Sequence, residues 1–224
     1  MPRKHTRKWF VENGIYHCYN RGVDKQKIFL EDADYLYFLR IIKEALSEPK
    51  ALIDSESFHP SVHSHPPMNF FTSITLLGYC LMPNHFHLLM IQNDSHSLDK
   101  FLKSICTRYC MYFNKKYKRS GHVFESVYKA ILVDDEAYFL HLSRYIHRNP
   151  FGMYPSLSDA YSSYAYYLGI RHASWIHPQF ILATFQPNVI PLHRHFTTYK
   201  AFVEMKDDES ALLVDPYAID FDEN

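Results

Sequence analysis

Short alternating or continuous apolar runs along the first two-thirds of the chain are separated by segments with the longer period of a helix. "GIYHCYNRG" (14–22) is rich in β-formers and predicts a strand that ends at Gly22. "EDADYLYFLRIIKEALSE" (31–48) has helical spacing and acids in its first turn. "FFTSITLLGYCLM" and "HFHLLMIQ" are β-rich and are separated by Pro83-Asn84, a hairpin signal. "SLDKFLKSICTRYCMYFNKKYKR" (97–119) predicts a helix with Ser97 as N-cap and Leu98, Leu102, Ile105 and Tyr109 on its apolar face. "GHVFESVYKAILV" (121–133) predicts a further strand region. "DDEAYFLHLSRYIHRN" predicts a helix that starts at Asp134 or Asp135 and stops at Pro150.

The order strand, helix, strand, strand, helix, strand predicts an α+β chain of the ferredoxin-like β-α-β-β-α-β type. Its antiparallel sheet carries helices on one face, followed by an extra helix. The expected domain spans 1–155, with a Pro/Ser/His-rich loop insertion at 50–68. Residues 156–224 are expected to form a C-terminal extension of short helices ("SSYAYYLG", "HPQFILATF", "TTYKAFVEM") with an acidic tail.

Charge changes this picture less than its distribution does. The 224 residues hold 24 Lys and Arg against 24 Asp and Glu, a balance that by itself announces no nucleic-acid partner. Yet residues 100–119 contain Lys100, Lys103, Arg108, Lys115, Lys116, Lys118 and Arg119 and no acid, and residues 1–27 are also basic. The acidic tail cancels both on paper, so a zero sum can hide a basic face. Cys18, Cys80, Cys106 and Cys110 lack the paired spacing of a zinc ribbon and read as reduced thiols. No run approaches the roughly 20 apolar residues of a membrane span, and a cytoplasmic protein is expected.

The candidate chemistry lies in "CLMPNHFHLLMIQ" (80–92). His85 and His87 alternate with Phe86, so on a strand both imidazoles point to one face and can converge on one ion. Two histidines on the polar face of a half-buried strand is the plainer alternative, and spacing alone leaves both open. A metal site also needs a further donor. In "LSRYIHRNP", Tyr145 and Asn149 are four apart and share a helical face, offering a phenol and an amide oxygen. A core-edge tyrosine and a helix-ending asparagine before proline are the alternatives there.

"MPNHFHLLM", "GHVFESVYKAILVDDEAYFLHLSRYIHRNP", "SSYAYYLG" and "YNRGVDKQKIF" together resemble the single-tyrosine HUH transposases, in particular the REP-associated tyrosine transposases, over roughly residues 8–170. The resemblance implies the ferredoxin-like fold, His85 and His87 as the metal pair, Asn149 as the third protein ligand and Tyr145 as the nucleophile. It implies cleavage and rejoining of single-stranded DNA at or beside hairpins through a 5′-phosphotyrosine, with a released 3′-hydroxyl. Mixed imidazole and amide-oxygen ligation suits Mg²⁺ or Mn²⁺ better than a thiolate-selecting metal. Free tyrosine, with a pKa near 10, needs a polarised phosphate as its target. Arg21, Lys103, Arg108, Lys115, Lys116, Lys118, Arg119 and Lys129 are then the expected phosphate contacts. Tyr109, Tyr112, Phe113 and Tyr117 are aromatics that could stack on bases. The assembly is expected to be a monomer or homodimer.

Three features depart from the family pattern. Val127 stands where many relatives have arginine, "FGMYP" follows Asn149-Pro150-type positions, and the histidines of "HPSVHSHPP" have no counterpart. Two other functions fit the same residues. One is a hairpin-binding protein that no longer cuts; the other is a zinc-dependent hydrolase that uses water in place of tyrosine.

Overall fold

The computed structural model describes residues 10–49, 68–185 and 196–205. The basic start, the insertion with its histidines and the acidic tail after Met205 lie outside them. Its elements are β1 (Gly14–Arg21), α1 (Asp32–Leu46), β2 (Ile74–Met82), β3 (His85–Gln92), α2 (Ser97–Lys116), β4 (Lys129–Val133) and α3 (Glu136–Arg148). Three short helices follow: α4 (Tyr164–Tyr167), α5 (Gln179–Thr184) and α6 (Tyr199–Glu204).

The four strands form one antiparallel sheet in the order β2-β3-β1-β4. Each non-neighbouring step is made by a helix: α1 carries the chain from β1 past β3 to β2, and α2 carries it from β3 past β1 to β4. This is the ferredoxin-like arrangement expected from the element order. Met82 pairs with His85 across a two-residue connection, Pro83-Asn84. Gly22 ends β1, donates to the Asn84 carbonyl, and has no space for a side chain, because an added Cβ would lie 2.2 Å from the Gln26 carbonyl oxygen.

The sheet separates two cores. On one face Tyr16, Cys18, Phe86, Leu88 and Met90 pack with Phe38, Ile41 and Ile42 of α1 and Leu98, Leu102, Ile105 and Tyr109 of α2. On the other, Leu77, Cys80, Leu89 and Val133 pack with Phe139, Leu142 and Ile146 of α3 and with Tyr164, Ile181 and Phe202 of α4–α6. A register shift between Leu76 and Gly78 inserts one residue into β2. Beyond it, Cys80 and Met82 share the face of His87 and His85.

Three local expectations are corrected. Ser97 is the first helical residue rather than the cap: the Asp94 carboxylate accepts from the amides of His96 and Ser97, and Gln92 Oε1 accepts from that of Leu98. The strand region 121–133 is ordered as a strand over Lys129–Val133 only. Upstream of it Gly22 still bridges Phe124, but two residues out of register with the Lys129–Val133 pairing, and in the interruption the Asn20 side-chain amide donates to the carbonyls of Ser126 and Val127. The aromatics of α2 are committed within the fold. Tyr109 and Phe113 are core, Tyr112 stacks on Tyr37 at 3.7 Å, and the Tyr117 hydroxyl donates to Asp34. They are not free to stack on bases. By contrast, α3 starts on the cap expected of it, with the Asp135 carboxylate accepting from the Tyr138 amide at 2.6 Å. All four cysteines are unbridged thiols.

Candidate active site

Strand alternation sends Phe86 and Leu88 into the α1/α2 core and turns His85 and His87 toward α3. Their rings meet at 4.9 Å, nearly perpendicular. His87 is fully buried, whereas His85, at the start of β3, is half-buried. The spacing of α3 brings two of its residues to this pair. The Tyr145 ring lies edge-to-face on His87 at 5.5 Å, and Asn149 Oδ1 lies 3.2 Å from His85 Nε2. Asn149 keeps helical dihedrals (φ −48°, ψ −40°) although proline follows, and its amide still closes on the Tyr145 carbonyl.

The contacts orient the imidazoles. His85 Nδ1 lies 2.7 Å from Asn84 Oδ1, an acceptor, so in the neutral ring Nδ1 carries the proton and Nε2 presents its lone pair to Asn149. Nε2 and Oδ1 are then two lone-pair atoms facing each other, an arrangement relieved by a proton or cation between them. Adjacent ligands of an octahedral ion with bonds of about 2.1 Å lie roughly 3.0 Å apart, so the observed 3.2 Å fits that geometry. Cys80 pairs with His87 across β2 and β3, but burial pushes its thiol pKa far above the usual range. The donor set is therefore imidazole nitrogen and amide oxygen with no thiolate, which fits Mg²⁺ or Mn²⁺. Among the described residues no three His, Cys, Asp or Glu side chains gather into a metal cluster, so the asparagine is an essential member of any such set.

Two histidines missed by the sequence reading complete the surroundings. His17 of β1 places Nε2 at 2.9 Å from His87 Nδ1. His147 of α3 is held on the helix side away from Tyr145, inside a one-way chain of hydrogen bonds. The Tyr79 amide donates to Ser163 Oγ, Ser163 to His147 Nε2, His147 Nδ1–H to Tyr199 Oη, Tyr199 to Ser143 Oγ, and Ser143 to the Leu140 carbonyl. Every group is satisfied with His147 neutral, and burial lowers its pKa to about 3. The chain ties α3 to β2 and α6 and so fixes the helix that carries Tyr145 and Asn149. The signal for His17 was its parity with Tyr19 on β1; no sequence signal identified the neighbour it would meet.

The expected phosphate contacts divide by face. Lys129 lies over the Tyr19 ring at 5.3 Å, and Tyr19 pairs with His87 across β1 and β3. Arg21 pairs with His85 in register and bonds Glu125 at 3.2 Å. The α2 cations lie on the other side of the sheet. Lys103 bonds Asp99, Arg108 bonds Glu44, and Lys116 bonds Glu31 and Asp34. Lys115 and Lys118 are exposed, and Arg119 donates to the His122 carbonyl. No helix among the described residues is long and apolar enough to cross a membrane.

Comparison with known proteins adds a family likeness over part of the chain. No curated protein matches the chain. A REP-associated tyrosine transposase solved with a REP hairpin is 12% identical, with a TM-score of 0.49, covering 77% of this chain and 96% of that one. A transposase candidate from Deinococcus radiodurans R1 is 14% identical, with a TM-score of 0.36, covering 66% and 97%. The family model for IS200-like transposases matches residues 71–149, from the approach to β2 through both histidines to Tyr145 and Asn149. That span, which carries the whole candidate site, is similar to the IS200-like transposases.

Proposed function

We propose that the protein cuts and rejoins single-stranded DNA at or beside a hairpin, with Tyr145 as nucleophile. The observation that carries this reading is the contact of His85 with Asn149, 64 residues away in sequence, on the helix that also sets Tyr145 against His87. His85, His87 and Asn149 would hold a divalent ion, Mg²⁺ or Mn²⁺, which when bound polarises the phosphate oxygens and offsets the charge of the transition state.

The remaining chemistry belongs to the chain's own groups. As the Tyr145 oxygen bonds to phosphorus, the phosphorus–3′-oxygen bond breaks. The phenol gives up its proton and the leaving oxygen takes one up as a 3′-hydroxyl. The covalent link conserves the ester, so the reverse attack rejoins a strand without ATP. Half-burial leaves Tyr145 reachable by a flexible single strand, while α3, pinned through His147, holds the phenol in place. Lys129 and Arg21, on the site's face, are the proposed contacts to the phosphates nearest the cut. Lys103, Arg108, Lys115, Lys116, Lys118 and Arg119 are proposed for more distant phosphates.

Incubation with a hairpin-bearing single strand and Mn²⁺ should give a protein–DNA adduct that survives denaturing electrophoresis. Tyr145→Phe should give none, and His87→Ala should lower the yield at least 100-fold. An adduct formed equally by Tyr145→Phe overturns the assignment. Cleavage without any adduct would favour a water-using hydrolase.

A further inference from the structure

We infer that His17 is a positioning residue: it accepts the Nδ1 proton of His87 and so commits His87 to present Nε2 to the metal. The inference rests on the metal site proposed above and adds to it a residue outside the His85–His87–Asn149 set.

The geometry is that of a directional bond. An N···N bond lying in the plane of two imidazoles puts their centroids roughly 5 Å apart. His17 and His87 are 5.1 Å apart and 21° from coplanar, with Nε2 and Nδ1 at 2.9 Å. The rings are thus joined edge to edge rather than laid face to face. β1 and β3 explain the meeting. Tyr19 is the direct partner of His87 and His17 that of Leu89, so His17 reaches His87 along the diagonal, a distance that long side chains span. Both rings are completely buried, which removes water as a competitor for the bond.

Proton bookkeeping decides the direction. If His17 donated, a neutral His87 would carry its proton on Nε2 and could not ligate. If His87 donates from Nδ1, its Nε2 lone pair is available, and the acceptor behind it raises that nitrogen's basicity. Metal binding selects the second arrangement. His85 is oriented the same way by Asn84 Oδ1 on its own Nδ1. Both metal imidazoles therefore have an acceptor at the rear nitrogen, one an exposed-side amide and one a buried histidine.

The test is Mn²⁺ binding by the purified protein without DNA, followed by calorimetry or electron paramagnetic resonance, with thermal unfolding measured in chelator. His17→Leu keeps the site apolar but removes the acceptor, and should weaken Mn²⁺ about 10- to 100-fold. His17→Gln, whose Oε1 reaches nearly where Nε2 lies, should restore affinity to within about threefold of wild type. His17→Asn, one carbon shorter, should not. If His17→Leu does not fold, the Gln and Asn pair carries the test, and equal affinities for the two overturn the inference. Wild-type affinity in a folded His17→Leu also overturns it. His87→Ala separates the two readings. Strong loss in His87→Ala with none in His17→Leu removes the role of His17 alone. No loss in His87→Ala removes the metal site and the inference together. An effect of His17 on unfolding temperature without the Gln-against-Asn difference in affinity marks a packing role and overturns the positioning role.

Discussion

The same strands build two different surfaces. Residue by residue, β3 hands Phe86, Leu88 and Met90 to the α1/α2 face and His85, His87 and Leu89 to the α3 face. On the first, the sheet contact is apolar along its middle, with buried and hydrogen-bonded Asn20 and Gln92 at its ends. The one buried carboxylate among the described residues, Asp34, sits between the helices and is met by Lys116, Tyr112 and Tyr117. On the second, apolar packing fills the end near Leu77 and Val133, while the end near His85 is built of imidazoles, a phenol and an amide. Stability and chemistry are thus divided across a single layer of backbone, and adjacent residues belong to different tasks.

Breaking the closed face should produce the largest effect. Phe86→Ala should cost about 3–5 kcal/mol in denaturant unfolding, because it empties a fully buried site between α1, α2 and Phe124. Its neighbour His85→Ala, half-buried, should unfold close to wild type yet lose adduct formation. Equal stability losses at the two positions would refute the division.

Acid should act through the α3 face. The folded His147 pKa of about 3 lies below that of an unfolded histidine, so the unfolded chain takes up the proton first. This contribution is complete above about pH 6.5 and is lost as pH falls toward 3, by about 1.4 kcal/mol per unit. From pH 7 to 5 the His147 share is about 2 kcal/mol, read as the difference in slope between wild type and His147→Gln. Parallel slopes would deny the neutral buried state.

On the closed face, burial alone would raise the Asp34 pKa, but bonds from Lys116, Tyr117, the Leu30 amide and Tyr112 outweigh it and hold the carboxyl below its usual range. Asp34→Asn should cost about 1.5 kcal/mol at neutral pH, and the difference should vanish in acid as the wild-type carboxylate is protonated. The smallest effect belongs to Lys103, whose bridge to Asp99 is mostly exposed: Lys103→Ala should change unfolding by less than about 0.5 kcal/mol. A larger value would mean that surface charge on α2 contributes more to the fold than its geometry implies.

Local signals made the scaffold legible. The limits of β2 and β3 follow from alternation interrupted by Pro83-Asn84, and α3 begins at its acidic cap because capping is a short-range interaction. Half the site was readable for the same reason, since His85 with His87 and Tyr145 with Asn149 are each set by one element's period. Their meeting depends on the fold, and the family resemblance supplied it. What escaped was tertiary. His17 matters through strand register and His147 through a chain spanning three elements. The aromatics of α2 looked available because a helix stripe does not disclose which residues its neighbour covers. The strand expected from residue 121 is shorter because its pairing with β1 slips by two residues between Phe124 and Lys129, an irregularity that alternation does not disclose.

One contact on the far side of α3 changes how the chain's charge should be counted. Arg144 gives its guanidinium to the carbonyls of Phe202 and Met205, and Arg148 donates to those of Val203 and Met205. Two cations on the tyrosine helix are thereby spent on the carbonyl end of α6, whose partial negative charge they complement. Neither guanidinium is at liberty to turn toward Tyr145, so the proposed DNA strand would meet fewer positive charges at the site than the sequence around it advertises. For these two cations α6 is an anchor, and recognition at the proposed site would rest on the residues that face it.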